Sequence, residues 1–119
     1  MKRDTTLFLE DILENINNIE SFSKGISKQQ FKKNKLKQNA IIRCLEVIGE
    51  AVKSLPKEFL SKYPKVPWSE IAGFRDVMIH AYFVVDIERV WKVVEEDMPE
   101  LKKNIIEIIE KERQRTRTA

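Results

Sequence analysis

Leu9, Ile12, Leu13, Ile16 and Ile19 recur at three- and four-residue steps between residues 6 and 22, with Asp and Asn facing away. At 3.6 residues per turn such positions share one face, so the segment reads as an amphipathic helix. A second stripe, Ile41, Leu45, Ile48, Val52 and Leu55, advances by four, three, four and three residues beside Ala40, Cys44, Val47 and Ala51. Two adjacent apolar rows predict the central, most buried helix of the molecule. Between the two helices, residues 23–27 with Gly25 read as a turn, and a lysine-rich segment leads into the second helix. Pro56 ends that helix and starts a short one over residues 57–61, because proline fits a first turn where no N–H is needed. Pro64 and Pro67 keep the next stretch extended. Ser69 is expected to cap the following helix, and Asp86, after Val84 and Val85, the next. Val90, Val94, Met98, Leu101, Ile105 and Ile108 form a last stripe that Pro99 interrupts, which predicts a kink or break near Asp97 and Met98. No segment alternates as a strand does. The pattern predicts an all-α bundle of four to five helices in a single domain over residues 1–119, with a flexible basic tail from about residue 112.

A chain of 119 residues is long enough for one real core and too short for a separate cofactor domain. It carries no glycine-rich phosphate loop, which excludes a self-contained nucleotide-hydrolysing domain. No apolar run approaches the roughly 18 residues that cross a bilayer, and Glu10, Asp11 and Glu14 stand where a signal peptide has its apolar centre. A cytoplasmic protein without membrane contact is expected. The single cysteine, Cys44, lies among Ile41, Leu45, Val47 and Ile48 and reads as a buried, inert thiol. One Cys and one His argue against a zinc site, and neither metal nor cofactor is expected.

The net charge of +3 is unevenly spread: Lys24, Lys28, Lys32, Lys33, Lys35 and Lys37 share an acid-free stretch, and Lys111, Arg113, Arg115 and Arg117 crowd the end. Such clusters attract polyanions, which makes Lys32, Lys33 and Lys35 candidates for RNA contact, although lysine-rich loops also serve solubility alone.

The candidate chemistry is concentrated in residues 73–82, which hold Arg75, Tyr82 and the only histidine, His80. Arginine grips phosphate through a planar fork of donors, and imidazole exchanges protons near neutrality; phosphodiester cleavage needs both abilities. A five-residue step on a helix rotates about 140°, so Arg75 and His80 converge only if the helix bends or ends, or if the two residues come from different chains. Cleavage with two imidazoles, one acid and one base, likewise requires two copies, and a homodimer is part of this reading. Trp68 and Trp91, among apolar neighbours, read as core or interface anchors.

The run from Ile42 to Ala51, then Leu55-Pro56, Val66-Pro67-Trp68, residues 73–82, Val85-Asp86 and Trp91 resembles, in order and spacing, the HepT-like branch of the HEPN superfamily, across roughly residues 38–109. The resemblance implies an α-helical homodimer acting as a metal-independent endoribonuclease toxin, paired with an MNT-type nucleotidyltransferase antitoxin. It makes Arg75 and His80 the catalytic pair, Asp76 the polar residue after the arginine, and Tyr82 the tyrosine that the antitoxin silences with AMP. Glu46 and Glu50, one turn apart on the second helix, are candidates for orienting Arg75 or His80, or else for pairing with Arg43 or Lys53. A different class of function fits the same features: a noncatalytic helical module, or a nucleotide-recognising scaffold, that serves as substrate or partner of the nucleotidyltransferase.

Overall fold

The structure is a computed structural model that describes residues 4–74, 76 and 85–118; Arg75, His80 and Tyr82 lie outside the described residues. Its regular elements are helices. Helix α1 (Thr5–Ser23) starts where the Asp4 carboxylate accepts the Thr6 N–H at 3.1 Å, and buries Leu9, Ile12, Ile16 and Ile19. Gly25, at φ +75°, closes the expected turn after it. Helix α3 (Lys35–Ser54) is the predicted central helix, with Ile41, Leu45 and Ile48 fully buried against α1. Burying those two apolar faces against each other supplies the main driving force for folding.

The lysine segment is more ordered than a lead-in. Helix α2 (Lys28–Lys32) begins with a reciprocal cap: the Ser27 hydroxyl accepts the Gln30 N–H, and the Gln30 side chain accepts the Ser27 N–H. This Ser-x-x-Gln signature stood in the sequence. Phe31 at its centre is fully buried against the Trp91 ring, 5.0 Å between centroids. The buried Gln38 amide of α3 donates to the Phe31 and Lys32 carbonyls at 2.9 and 3.0 Å, satisfying the open end of so short a helix.

Helix α4 (Lys57–Ser61) follows Pro56 as expected. Helix α5 (Trp68–Ala72) begins earlier than a Ser69 cap would place it, with Pro67 as its N-cap. The cause is the anchoring of Trp68, which is buried with its indole N–H on the Tyr63 carbonyl at 3.0 Å and its backbone N–H on the Val66 carbonyl at 2.8 Å. Helix α6 (Ile87–Lys92) is capped by Asp86, whose carboxylate accepts the Arg89 N–H at 3.1 Å.

The kink or break expected near Asp97 and Met98 takes the form of a local irregularity that does not interrupt the helix. A π-helical turn (Val93–Asp97) joins α6 directly to α7 (Met98–Thr118). Pro99 has no N–H for the carbonyl one turn back, and its ring crowds that carbonyl; the wider turn ahead of it absorbs both defects. The apolar stripe survives, with Val90, Val94, Met98, Leu101, Ile105 and Ile108 all buried. Trp68 and Trp91 belong to this core, as does Cys44, whose thiol burial pushes up against a smaller opposing effect of Arg43.

The C-terminal end also differs from expectation. Helix α7 continues to Thr118, and Glu112, the first residue of the expected tail, is buried. It accepts hydrogen bonds from the Tyr63 hydroxyl, from Lys62 at 3.3 Å and from Arg115 at 2.9 Å. Burial alone would raise the Glu112 pKa, but these three donors outweigh it and hold the carboxyl below its usual value. Burial and the Glu112 hydrogen bond together push the Tyr63 phenol up to about 12.

Replacing Tyr63 by Phe removes one of those donors and is expected to cost about 1–2 kcal/mol near neutral pH, the scale of a hydrogen bond to a partly exposed charge. The depressed Glu112 pKa means that this contribution is present above the unfolded value near 4.3 and is lost as pH falls through the folded value. Urea unfolding of both proteins should therefore give curves separated at neutral pH that draw together below about pH 4. Equal separation at both pH values would assign the effect to packing.

Candidate functional site

The approach to Arg75 is fixed by one close contact. Gly49 of α3 lies against the last turn of α5, where a methyl group added at its Cα would sit 3.1 Å from the Ile71 carbonyl oxygen and 3.2 Å from that of Ala72. Only a residue without a side chain lets the two backbones approach so closely. Gly73 then ends α5 with its N–H on the Ser69 carbonyl at 3.1 Å, and Phe74 is buried in the core. Asp76, on the other side of Arg75 in sequence, is exposed. Beyond the undescribed stretch, Val85 packs on the core and Asp86 caps α6. Both ends of the segment carrying His80 and Tyr82 are thus anchored on the same core.

Glu46 and Glu50 are brought to this approach. With Gly49, Lys53 and Ala72 they line a surface cavity of about 200 Å³. Ala72 precedes Arg75 by three residues, so the predicted supporting carboxylates do lie beside the end of α5. Glu50 also stands 3.8 Å from Arg43, with the two side chains 66% and 65% exposed, which is the weak surface pair weighed from the sequence.

A second cavity of about 200 Å³ adjoins Phe74 and is strongly acidic. Glu70, Glu96, Asp97 and Glu100 line it together with the buried Asn104. Burial raises the Asp97 pKa, and the neighbouring Glu96 and Glu70 charges raise it further. Such a wall repels phosphate. Among the described residues, no group of three His, Cys, Asp or Glu side chains is placed to hold a metal ion.

The lysines divide. Lys33 and Lys35 are exposed, whereas Lys32 forms an ion pair with Glu88 of α6, as does Lys28 one turn earlier. Hydrogen bonds from Lys28 and Lys32 hold the Glu88 carboxyl below its usual pKa. Sequence reasoning had not joined Lys28 and Lys32 to Glu88; the spacing of the two lysines on a capped helix was the available signal.

A profile of the family described as Ribonuclease HepT-like matches residues 12–108. The chain belongs to this family. The match takes in α1 from residue 12 onward and the lysine segment, which the sequence resemblance from residue 38 had left outside, and it spans Arg75, His80 and Tyr82. The HepT-like chain is 48% identical over 108 residues to "Putative RNase MJ1216" of Methanocaldococcus jannaschii, covering 91% of this chain and 89% of that protein. It is 49% identical over 102 residues to "Probable ribonuclease HepT" of Thermococcus cleftensis, covering 86% and 93%. A third relative, "Putative RNase TTE0752" of Caldanaerobacter subterraneus, is 47% identical over 106 residues, covering 89% and 95%. No solved structure matches the chain significantly. No helix among the described residues is long and apolar enough to cross a membrane.

The Gly49 contact generates a stability test for this HepT-like fold. Alanine in a helix interior normally gains about 0.5–1 kcal/mol over glycine. Here the added methyl would sit 3.1 and 3.2 Å from two backbone carbonyl oxygens, which must give by a few tenths of an ångström, and overpacking of this kind costs about 1–3 kcal/mol. Gly49→Ala is expected to be no more stable than the parent, and Gly49→Val less stable by about 2 kcal/mol or more, in chemical denaturation. A stabilised Gly49→Ala would show that α3 and α5 separate without cost.

Proposed function

We propose that this HepT-like protein is a metal-independent endoribonuclease, working as a homodimer and as the toxin of a toxin–antitoxin pair. The observation that carries the reading is the family match over residues 12–108, which contains Arg75 and His80 in a segment whose two ends are anchored on one core. RNA supplies its own nucleophile. A base takes the proton of the 2′-hydroxyl, the 2′-oxygen bonds to phosphorus as the bond to the 5′-oxygen breaks, and an acid protonates that leaving oxygen. His80 of one copy acts as base and that of the second copy as acid. Arg75 carries the extra negative charge of the pentacoordinate phosphate. The products are a 2′,3′-cyclic phosphate and a 5′-hydroxyl. Glu46, beside the end of α5, is a positioning residue for this segment, with Glu50 and Asp76 as polar neighbours.

Regulation is proposed at Tyr82. A nucleotidyltransferase of the MNT type directs the phenolic oxygen to the α-phosphorus of ATP, with pyrophosphate leaving, and the attached AMP places a phosphate beside Arg75. The substrate phosphate is then excluded from the same arginine.

His80→Ala and Arg75→Ala should each lower cleavage of a model RNA at least about a hundredfold, the usual loss on removing an acid–base or charge-stabilising group. Both variants should remain helical by circular dichroism and dimeric by light scattering, and the parent should cleave undiminished with excess chelator. Parent-level cleavage by either variant would remove its residue from the mechanism, and a parent inert towards RNA would favour the noncatalytic module.

Incubated with a cognate nucleotidyltransferase and Mg-ATP, the parent should gain the mass of AMP and lose ribonuclease activity, while Tyr82→Phe should gain nothing and stay active. Intact-mass spectrometry decides between this and a partner that silences the protein by binding alone.

A further inference from the structure

The pairing of Lys28 and Lys32 with a single carboxylate is not used by the proposed chemistry. These two ammonium groups stand one turn apart on α2, and both reach Glu88, so the cluster keeps a net positive charge. All three side chains are about half exposed. Their backbone is fixed: Phe31 is buried on Trp91, the Gln38 amide holds the last carbonyls of α2, and the Ser27–Gln30 cap holds its start. Beside Lys28 and Glu88, the adjoining surface depression is lined by Arg89 and Lys92 and by Asp86, Glu95 and Glu96, so acids outnumber bases there by one and the cationic side of the cluster is that of Lys32 on α2. Lys33 and Lys35, next along the chain, are exposed.

Chain connectivity sets how far this cluster lies from the proposed chemistry. Glu88 follows His80 by eight residues, and a fully extended chain spans at most about 3.6 Å per residue, which bounds the separation of their backbones at about 29 Å. An RNA strand of several nucleotides covers that distance.

We propose that Lys28 and Lys32 form a docking point for an RNA phosphate flanking the cleaved bond, with Glu88 as the resident counter-ion that the phosphate displaces. The inference rests on the reading of RNA as substrate and adds where a flanking phosphate is held. Exposed ion pairs are weak, and the released carboxylate returns to water, so exchange of Glu88 for phosphate meets little resistance. Release of counter-ions from the RNA favours the exchange further. Glu88 in turn keeps the lysines paired when no RNA is present.

The test uses the full chain and a 2′-O-methyl RNA, which lacks the nucleophile and therefore stays intact while binding is followed by fluorescence anisotropy across a salt series. Replacing both lysines (Lys28→Gln with Lys32→Gln) should weaken binding and flatten the plot of log affinity against log salt by about 0.7, the value for one phosphate of a single strand that is no longer neutralised. Glu88→Gln should act in the opposite direction and strengthen binding, because it frees both lysines. A cluster that only staples α2 to α6 gives a different result, since every one of these variants breaks the staple and all shift binding the same way. An unchanged salt slope in the double variant, or weakened binding in Glu88→Gln, overturns the docking point. If the parent cleaves unmodified RNA in the same buffer, that failure concerns the docking point alone; a parent that neither binds nor cleaves overturns the ribonuclease reading as well.

Discussion

The backbone contact between Gly49 and the carbonyls of Ile71 and Ala72 is the constraint on which the placement of the candidate site depends. Helix α3 buries one face on α1 and meets α5 on another, so a single rigid rod carries the core and the approach to Arg75. A short helix such as α5 has too few internal hydrogen bonds to hold its own direction. It is held instead by the buried Trp68 and Ile71 and by the close approach at Gly49. The same approach brings Glu46 and Glu50 beside Ala72. The direction in which the chain leaves α5 is thus set by packing rather than by the helix's own hydrogen bonds.

The long helices were legible in the sequence because their apolar period is sustained over several turns. Helices α1 and α3 lie where the stripes placed them, and the buried residues are largely those the stripes named. Helix α2 escaped because its five residues expose almost everything but Phe31, and a period needs more than one buried position to appear. Its signal was local, the Ser27–Gln30 cap, and was overshadowed by the charge of the lysines. Pro99 marked the irregularity near Asp97, but not its form: the rule that proline kinks or breaks a helix describes an α-helical ladder, and a preceding π turn lets the helix continue. The tail was misjudged because Glu112 looks solvated among Lys111, Arg113 and Arg115, while its partner Tyr63 is distant in sequence.

The site divides in the same way. Residue types and spacing pointed to Arg75, His80 and Tyr82, and the family match contains all three. Their mutual geometry belongs to residues outside those described, so their roles are carried by chemistry and family membership. The surroundings were not legible. That Glu46 and Glu50 face the end of α5, and that Glu88 gathers Lys28 and Lys32, depends on contacts between helices far apart in sequence.

Two parts of those surroundings differ in charge. On the α5 side, Glu70, Glu96, Asp97 and Glu100 crowd one cavity, where burial and like charge together raise the pKa of Asp97. On the α6 side, two fixed lysines exceed the single carboxylate they share. A polyanion is repelled by the first surface and attracted by the second once it comes within the screening length of about 8–10 Å at physiological salt. Under the proposed function, this asymmetry divides two tasks: Arg75 and His80 would handle the reacting phosphate, while cations fixed on a separate short helix would hold a flanking part of the strand.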